Sequence, residues 1–425
     1  MQINTNTDQG YKLTTIATKK FKTTVVKVAF KAPLDRNTIT SRILLANILR
    51  NSTQSYPTKK ELNAHLEHLY GAHLSAVVNK QGQSHTIKFY LSIANEKFLQ
   101  GASGLLESGV NALNEMIFNP LIKENAFDQD VIELEKRLLK EEIESIYDDK
   151  TTYATKKLIA HMCKDEKYGV NSEGYIEDLA NISATSVYDT YQSMLNNDAV
   201  TLSIVGDISH EEVSALFAKN FDIVKKHAQL KIDTIDNEDK TIKNIETITE
   251  TQNIAQAKLN IGYRTHTRIN DEDYFALMVF NGVFGAFAHS KLFTNVREKN
   301  SLCYYCSSRL DNFKGLMYVY SGLDFKNCDM AQKIIDEQLT DVANGNITEK
   351  EIELAKKSLI NSKLESLDSS LGMVAEQEVS EILGYELSTE TYLEKINAVT
   401  KDDIQKIAKK MTKDTIFILT KEGAE

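Results

Sequence analysis

The chain has 425 residues, 42% of them hydrophobic and 26% charged, which is the composition of a globular protein with room for two or three domains. Fifty Lys and Arg against 60 Asp and Glu leave a net charge of −10, whereas nucleic-acid binders usually carry a basic excess. The N-terminus lacks the basic and apolar stretches of a signal peptide, and no apolar run approaches the ~20 residues of a membrane span. We therefore expect a cytoplasmic protein with no nucleic-acid and no membrane partner.

Apolar periodicity predicts helices and strands that are mixed along the chain without a strict βαβ repeat. In chain order the predicted elements are strand 23–30, helices 38–50 and 59–70, strands 74–78 and 85–93, helices 100–118, 128–147 and 182–194, strands 201–207 and 257–263, helix 271–284, strand 317–322, helices 329–344 and 399–411, and strand 415–423. This mixture predicts an α+β fold in which sheets are covered by helices.

One supersecondary unit occurs twice: ISATSVYDTYQSM precedes the strand at 201–207, and VTKDDIQKIAKKM precedes the strand at 415–423. Each is a polar N-cap, a one-sided helix, a short loop and a β-branched strand. The pattern favours a duplicated chain with an N-terminal half at 1–225, a charged, Thr-rich linker at 226–250 and a C-terminal half at 251–425. Two unrelated helix–strand units are the alternative.

His65, Glu67 and His68, with His73 nearby, form the densest group of metal-capable side chains. A helical zinc pair needs two histidines four residues apart with a Glu beside them, but these histidines are three apart and Glu67 points away from the face of His65. His73 lies beyond the predicted end of the helix. The spacing favours a polar helix surface, and an independent zinc enzyme using His65, His68 and Glu142 is the alternative.

The sequence has four cysteines: Cys163, Cys303, Cys306 and Cys328. Four are too few for a scaffold held together by disulfides, and this low number favours a reducing compartment. Cys303 and Cys306 form a C-x-x-C motif, but a zinc ribbon requires a second such pair and a redox motif requires a helix N-terminus. The run SLCYYCSS has the composition of a strand, in which residues three apart point to opposite faces. The motif therefore predicts buried structural cysteines.

Glu135 and Glu142 are seven residues apart on one predicted helix, so they share a face two turns apart. Alone, such a pair is typical of a solvated charged stripe. Arg297 and Tyr304, in NVREKNSLCYY, are equally ordinary when taken alone. No G-x-S-x-G, Walker A or G-x-G-x-x-G pattern occurs, so the sequence shows no serine-hydrolase or nucleotide-binding motif.

Five segments in order resemble the pitrilysin/insulinase family of zinc metallopeptidases, the inverzincins with H-x-x-E-H: ILLANILRNST, EHLYGAHLSA, EKRLLKEE, SIVGDIS and HSKLFTNVREKNSLCYY. The match spans nearly the whole chain. The resemblance implies two homologous α+β halves, each a mostly antiparallel sheet covered by helices on one face, as in LuxS-like and processing-peptidase-like metallopeptidases. It also implies that the two halves form a clamshell.

The family's metal helix presents His, Glu and His where this sequence has Ile43, Ala46 and Asn47. Isoleucine cannot bind zinc, alanine cannot take a proton from water, and a neutral amide is a poor zinc ligand. By the resemblance, Glu142 stands at the third-ligand position and Glu135 at its outer companion. We therefore expect no metal and no cofactor in this chain.

Arg297 and Tyr304 match the family's R…Y pair. The resemblance implies that the Arg anchors substrate carbonyls and that the Tyr hydroxyl donates to the scissile carbonyl as it becomes an oxyanion. Together these features resemble a zinc-less branch of the family, whose members pair with an H-x-x-E-H relative. We expect a non-catalytic subunit, inactive alone, that binds peptide and acts in trans on the zinc of such a partner. A peptide-binding or scaffolding homodimer without a peptidase role is the alternative.

Overall fold

The computed structural model describes residues 2–7, 11–221 and 232–423. The chain packs into two compact units. Unit 1 comprises residues 1–144, 170–234 and 367–378, and unit 2 comprises 145–169, 235–366 and 379–425. These units differ from the contiguous halves predicted from the sequence, because residues 145–169 belong to unit 2 and residues 367–378 belong to unit 1.

The helices and strands alternate irregularly along the chain. The strands are β1 (Gln2–Asn6), β2 (Lys12–Ala17), β3 (Thr23–Pro33), β4 (His73–Gln81), β5 (Ser84–Ala94), β6 (Ile122–Lys123), β7 (Ala126–Phe127), β8 (Ala199–Gly206), β9 (Glu246–Thr251), β10 (Ala257–Arg264), β11 (Cys303–Asp311), β12 (Leu316–Leu323) and β13 (Thr412–Thr420). The helices are α1 (Ile39–Leu49), α2 (Lys59–His68), α3 (Leu105–Phe118), α4 (Gln129–Ser145), α5 (Lys150–Met162), α6 (Ile176–Leu179), α7 (Ala184–Asn197), α8 (His210–Asn220), α9 (Tyr274–Asn281), α10 (Cys328–Ala343), α11 (Glu349–Ser366), α12 (Ser370–Leu383), α13 (Thr389–Ala398) and α14 (Lys401–Lys410). Across the described ranges, no helix is both long enough and apolar enough to cross a membrane.

Each unit is built on one mixed sheet. The strand order is β1-β2-β8-β3-β5-β4 in unit 1 and β11-β12-β10-β13-β9 in unit 2. β8 runs parallel to β2 and β13 runs parallel to β9, while all other neighbours are antiparallel. The order β9-β13-β10-β12-β11 therefore repeats β2-β8-β3-β5-β4 in both sequence and direction, and this confirms the prediction of two homologous halves.

The repeated helix–strand unit is specified locally by its N-caps. α7 and α14 each begin with a capping box, in which Ser183 pairs with Ser186 and Thr400 pairs with Asp403. These reciprocal bonds satisfy backbone N–H groups that the first helical turn leaves without a partner. α7 then leads into β8 and α14 leads into β13, as the sequence predicts.

Two predicted helices are shorter than expected. The helix predicted at 100–118 begins at Leu105, because Gly101 and Gly104 have left-handed backbone conformations with φ of 73° and 68°. The helix predicted at 271–284 ends at Asn281 and continues as a π-helical turn over Gly282–Ala286. This wider turn packs against β11, where the Ser307 hydroxyl donates to the backbone oxygen of Gly285 at 2.8 Å.

In unit 1 the main apolar core lies between one face of the sheet and helices that include α1, α3 and α7. The other face of the sheet is covered by α12, which the sequence does not predict. Val374 of α12 packs with Ile16, and Glu378 pairs with the buried Lys27 and Lys88 at N–O distances of 3.4 and 2.7 Å. Burial of an unpaired lysine is costly, and pairing with Glu378 offsets this cost for both lysines.

In unit 2 the sheet is likewise covered on its second face, by α5. Alternate residues of β10, such as Ile261, point into the main core of the unit. On the opposite face, a Cβ added to Gly262 would lie 2.6 Å from the Met162 sulfur of α5. The sequence predicted helices on one face of each sheet. The structure adds α5 and α12 on the second faces, and both helices come from parts of the sequence distant from the strands they cover.

The charged segment predicted as a linker is more structured than expected. Residues 226–231 lie outside the described residues. Asp236 is buried in unit 2 and pairs with Lys314 at 2.5 Å, and Glu246–Thr251 forms β9 beside β13. The Thr and Ile side chains of β9 favour a strand. This β-propensity outweighs the charged composition, which had suggested a connector.

Candidate functional site

Helix α1 carries the three positions at which the resemblance places a metal motif. Ile43 and Ala46 are buried in the core of unit 1, with 5% and 2% of their surfaces exposed, and Asn47 is half-buried. Gly174, at φ +78°, approaches so closely that an added Cβ would lie 3.2 Å from Ile43 Cδ1. Apolar atoms occupy the surroundings of the motif, so these residues do not fit a zinc ion.

Glu135 of α4 is buried and reaches the neighbourhood of α1 through Asn51. The Asn51 Nδ2 donates to Glu135 Oε1 at 2.8 Å and to the backbone oxygen of Asn47 at 3.1 Å. Glu135 Oε2 has no hydrogen-bond partner in the part of the chain that the structure describes. Glu142, two turns further along α4, is exposed. The side-chain amide of Asn51 therefore links Glu135 to the backbone of Asn47.

The histidines of the second candidate cluster do not converge. His65 stacks on Tyr56 at 4.5 Å between ring centroids, His68 is exposed at the end of α2, and His73 begins β4. Within residues 2–7, 11–221 and 232–423, no group of three His, Cys, Asp or Glu side chains is placed to hold a metal ion. The structure thus gives no support to the alternative of a zinc site at His65, His68 and Glu142.

An open pocket of about 530 Å³ lies beside α2 and the edge strand β4. Its lining includes the basic side chains Arg50 and Lys59 together with Glu67 and His73. Glu67 and His73 belong to the metal-capable group predicted from the sequence, whereas no sequence pattern indicates Arg50 and Lys59. The two basic residues flank the loop between α1 and α2, so only the folded loop brings them to one pocket.

Arg297 lies in unit 2 on a second π-helical turn, Phe293–Lys299, which precedes β11. Its guanidinium carbon is 4.6 Å from the Phe293 ring centroid, and the residue is exposed. The Arg297 backbone oxygen accepts from the Ser301 N–H at 3.0 Å, which ends the turn. Ser301 adopts a left-handed conformation with φ of 49°, so the chain reverses there into β11.

Tyr304 is an extra residue in β11. Cys303 pairs with Leu323 of β12 and Tyr305 pairs with Gly322, so Tyr304 has no counterpart on the partner strand. This is a β-bulge, a feature that re-aims a side chain at the edge of a sheet. Tyr304 is 59% exposed, which leaves its phenol available to a ligand or a partner.

The bulge also changes the placement of the two cysteines. Cys303 pairs opposite Leu323 and Cys306 opposite Ser321, so both thiols lie on the same side of the strand. The prediction that they face opposite sides is wrong, because an unbroken strand was assumed. Cys306 is 2% exposed and Cys303 is half-buried.

Tyr305, a residue that was not predicted to have a role, holds β11 in this conformation. Its hydroxyl is 2.9 Å from Thr151 Oγ1, and its ring covers Gly322 so closely that an added Cβ there would lie 2.6 Å from Cε1. With Tyr305 held against the sheet, its neighbour Tyr304 is left exposed at the bulge. A glycine paired with an aromatic residue on an adjacent strand is the pattern that could have revealed this contact.

Comparisons with known proteins identify a matching family model, a curated relative and similar solved structures. A family model described as "Peptidase M16 inactive domain" matches residues 181–359. A probable inactive metalloprotease, YmfF of Bacillus subtilis (strain 168), is 40% identical over 415 residues, covering 96% of both chains. The crystal structure of a conserved protein from Enterococcus faecalis V583 shares 36% identity at a TM-score of 0.93 and covers both chains completely. A protease from Helicobacter pylori shares the fold, with a TM-score of 0.81 at 15% identity over 99% of both chains.

The matches to YmfF and to the Enterococcus faecalis protein extend over Ile43, Ala46 and Asn47 of α1, and all three matches named first extend over Arg297 and Tyr304. The chain belongs to the M16, or pitrilysin/insulinase, family of peptidases.

Proposed function

We propose that this chain is the non-catalytic subunit of a heterodimeric M16 peptidase, in which it binds peptide and supplies Arg297 and Tyr304 to the zinc site of an H-x-x-E-H partner. One contrast carries the proposal. The zinc-motif positions Ile43 and Ala46 are closed into an apolar core, whereas Arg297 and Tyr304 are exposed. The chain has thus lost the groups that activate water but keeps donors that can act on a substrate.

The two exposed residues suit different tasks. The Tyr304 hydroxyl is a neutral donor that can stabilise negative charge as it develops on a peptide carbonyl oxygen, and such a donor contributes about 10²–10³-fold to kcat. The Arg297 guanidinium offers several N–H donors in a fixed plane, which suits carbonyl oxygens along a peptide backbone. The stacking of Arg297 on Phe293 limits its rotamers and lowers the entropy lost on binding.

The sheet edges support peptide as the ligand. β11, which carries Tyr304, forms one edge of the sheet of unit 2, and β4 forms the corresponding edge in unit 1. An edge strand presents backbone N–H and C=O groups to which an extended peptide can add. Backbone pairing of this kind binds many sequences, since it reads few side chains.

The proposal assigns zinc to the partner alone. A similar protein, YmfF of Bacillus subtilis, is described as a probable inactive metalloprotease, which agrees with a chain that needs a second subunit for hydrolysis. We likewise place the protein in the cytoplasm on the composition of its sequence.

The test is reconstitution with an H-x-x-E-H homologue from the same genome. Each chain alone and the equimolar mixture are assayed with a library of quenched fluorescent peptides, and their masses are measured by light scattering. We expect a 1:1 complex that cleaves peptides at a rate neither chain reaches alone. A partner that cleaves equally well without this chain would contradict the proposal. A homodimer of this chain that binds peptide, with no complex, would favour the scaffolding alternative.

A further inference from the structure

The proposed function uses Tyr304 but leaves the two thiols beside it without a role. Cys303 and Cys306 are the only C-x-x-C pair in the sequence, and the bulge at Tyr304 turns both toward the same side of β11. In an unbulged strand the same two residues would point to opposite faces. The pair is therefore created by the same local irregularity that exposes Tyr304.

The spacing of the pair lies near the limit for a disulfide. The register places Cys303 and Cys306 two positions apart on the partner strand, opposite Leu323 and Ser321, which corresponds to about 6.6 Å between Cα atoms. Disulfides span Cα distances of about 4.4–6.8 Å. A bond between these residues is within reach, and approach to the commonest disulfide spacing of about 5.5–6 Å contracts the strand around Tyr304.

The two thiols differ in environment, which assigns them different roles. A hydrogen bond from Cys306 and the positive charge of Arg297 together lower the pKa of Cys303, although burial opposes them. The same hydrogen bond and full burial raise the pKa of Cys306. Cys303, half-buried and closer to the thiolate form, is therefore the attacking group, and the enclosed Cys306 is the resolving group.

We propose that Cys303 and Cys306 form a reversible disulfide by exchange with a low-molecular-weight disulfide. The Cys303 thiolate attacks one sulfur of the small disulfide, forms a mixed disulfide and releases one small thiolate. Cys306 then loses its proton and attacks Cys303 Sγ, which releases the second small thiolate. Two protein thiols are oxidised by two electrons, and one small disulfide is reduced to two thiols that take up both protons.

The expected consequence is control of Tyr304. Contraction of the strand between Cys303 and Cys306 changes the conformation of the bulge, and Tyr304 moves with it. A disulfide near its geometric limit is more easily reduced, which is typical of regulatory rather than structural bonds. This regulatory role rests on the proposed function, whereas the thiol chemistry itself does not.

The direct test is mass spectrometry of the native chain after incubation with oxidised glutathione. Denaturing alkylation and trypsin cleavage release both cysteines in one peptide, NSLCYYCSSR at 300–309, because cleavage follows Lys299 and Arg309. We expect this peptide to escape alkylation and to weigh two hydrogens less than its reduced form. Reduced glutathione in excess should restore both alkylation sites.

Variants and the remaining cysteines serve as controls. In Cys306→Ser the exchange should stop at glutathione on Cys303, and in Cys303→Ser the remaining thiol should react at least about 10-fold more slowly. Cys163 is buried, and burial raises the pKa of Cys328 to about 11, so both should stay reduced in their own peptides. Two free thiols at 303 and 306, or glutathione retained on Cys303 of the unmodified sequence, would overturn the proposal.

The regulatory step has a separate readout. If reconstitution with the H-x-x-E-H partner succeeds, the oxidised chain should support peptide cleavage at least about 10-fold more slowly than the reduced chain, and Cys306→Ser should abolish this difference. Equal rates would overturn control of Tyr304 while leaving the disulfide standing. Because the mass measurement uses this chain alone, its result is independent of whether the proposed function holds.

Discussion

Arg264 of β10 is buried and pairs with the half-buried Glu166, shortly after α5, through two hydrogen bonds of 3.0 and 2.7 Å. The same guanidinium donates to Asp414 Oδ2 of β13 at 2.7 Å. Burial raises the pKa of Glu166, but the ion pairs with Arg264 and Lys314 outweigh it and hold that pKa below its ordinary value. Arg264 thus fastens the segment 145–169 to the sheet of unit 2.

Removing this cation should strongly destabilise unit 2. Arg264→Gln leaves the buried Asp414 without the guanidinium, while Glu166 keeps Lys314. We expect a loss of about 3 kcal/mol, the lower end of the ~3–5 kcal/mol that breaking a buried pair costs. Urea unfolding followed by tyrosine fluorescence measures the loss, and Arg309→Gln on the exposed side of β11 is the matched control. A loss below about 1 kcal/mol for Arg264→Gln would contradict this role.

His85 should make unit 1 sensitive to acid. Its Nδ1 accepts from Arg42 Nε at 3.1 Å, and Arg42 also pairs with the buried Asp198 at 2.7 Å. Burial and the positive charge of Arg42 lower the pKa of His85 to about 3, whereas a histidine in the unfolded chain has a pKa of about 6.5. Between these values the unfolded chain binds one more proton, so stability is lost as the pH falls from about 6.5 toward 3.

The prediction is a difference in slope. The free energy of unfolding of the unmodified chain should fall by up to about 1.4 kcal/mol per pH unit more steeply than that of His85→Asn below pH ~6. Denaturant titrations at several pH values measure both slopes, and His68→Asn, at an exposed position, should keep the original slope. Equal slopes for the unmodified chain and His85→Asn would show that His85 is not the titrating group.

A single histidine should not rebuild the metal site. Ile43→His introduces an imidazole among buried apolar side chains, which should lower the free energy of unfolding by about 2–4 kcal/mol. Zinc measured by elemental analysis should remain far below one ion per chain, since Ala46 and Asn47 are unchanged. Ile43→Leu should cost less than about 1.5 kcal/mol. One tightly bound zinc in Ile43→His would contradict the view that the site is lost.

Much of the fold follows from local patterns in the sequence. The N-caps at Ser183 and Thr400 and the β-branched strands after them predict the repeated unit, and the repeated strand order bears this out. The second layer of helices could not be predicted in the same way. Ala154 and Leu158 of α5 pack on Phe417 and Leu419 of β13, about 260 residues further along the chain, and the apolar letters of the helix do not indicate which strand they meet. Which sheet it covers depends on long-range packing.

The candidate site, too, could be predicted from the sequence only in part. The sequence itself shows that Ile43 and Ala46, two of the positions at which the resemblance places a metal motif, cannot bind zinc, because neither side chain carries a ligand atom. The bulge at Tyr304 is not visible, since a bulge is a property of the register between two strands. An unbroken strand was assumed, and this assumption placed the Cys303 and Cys306 side chains on opposite faces. The pairing of β11 with β12 shows that they lie on the same face.

The most direct test of the central claim is the kcat of the reconstituted heterodimer carrying Tyr304→Phe. The proposal predicts a kcat lower by about 10²–10³-fold with KM changed less than about twofold, because the lost hydroxyl acts on charge that develops in the transition state. Tyr385→Phe, at another exposed tyrosine of unit 2, is the matched control and should keep the original kcat. A kcat for Tyr304→Phe within twofold of the unmodified complex would contradict the account.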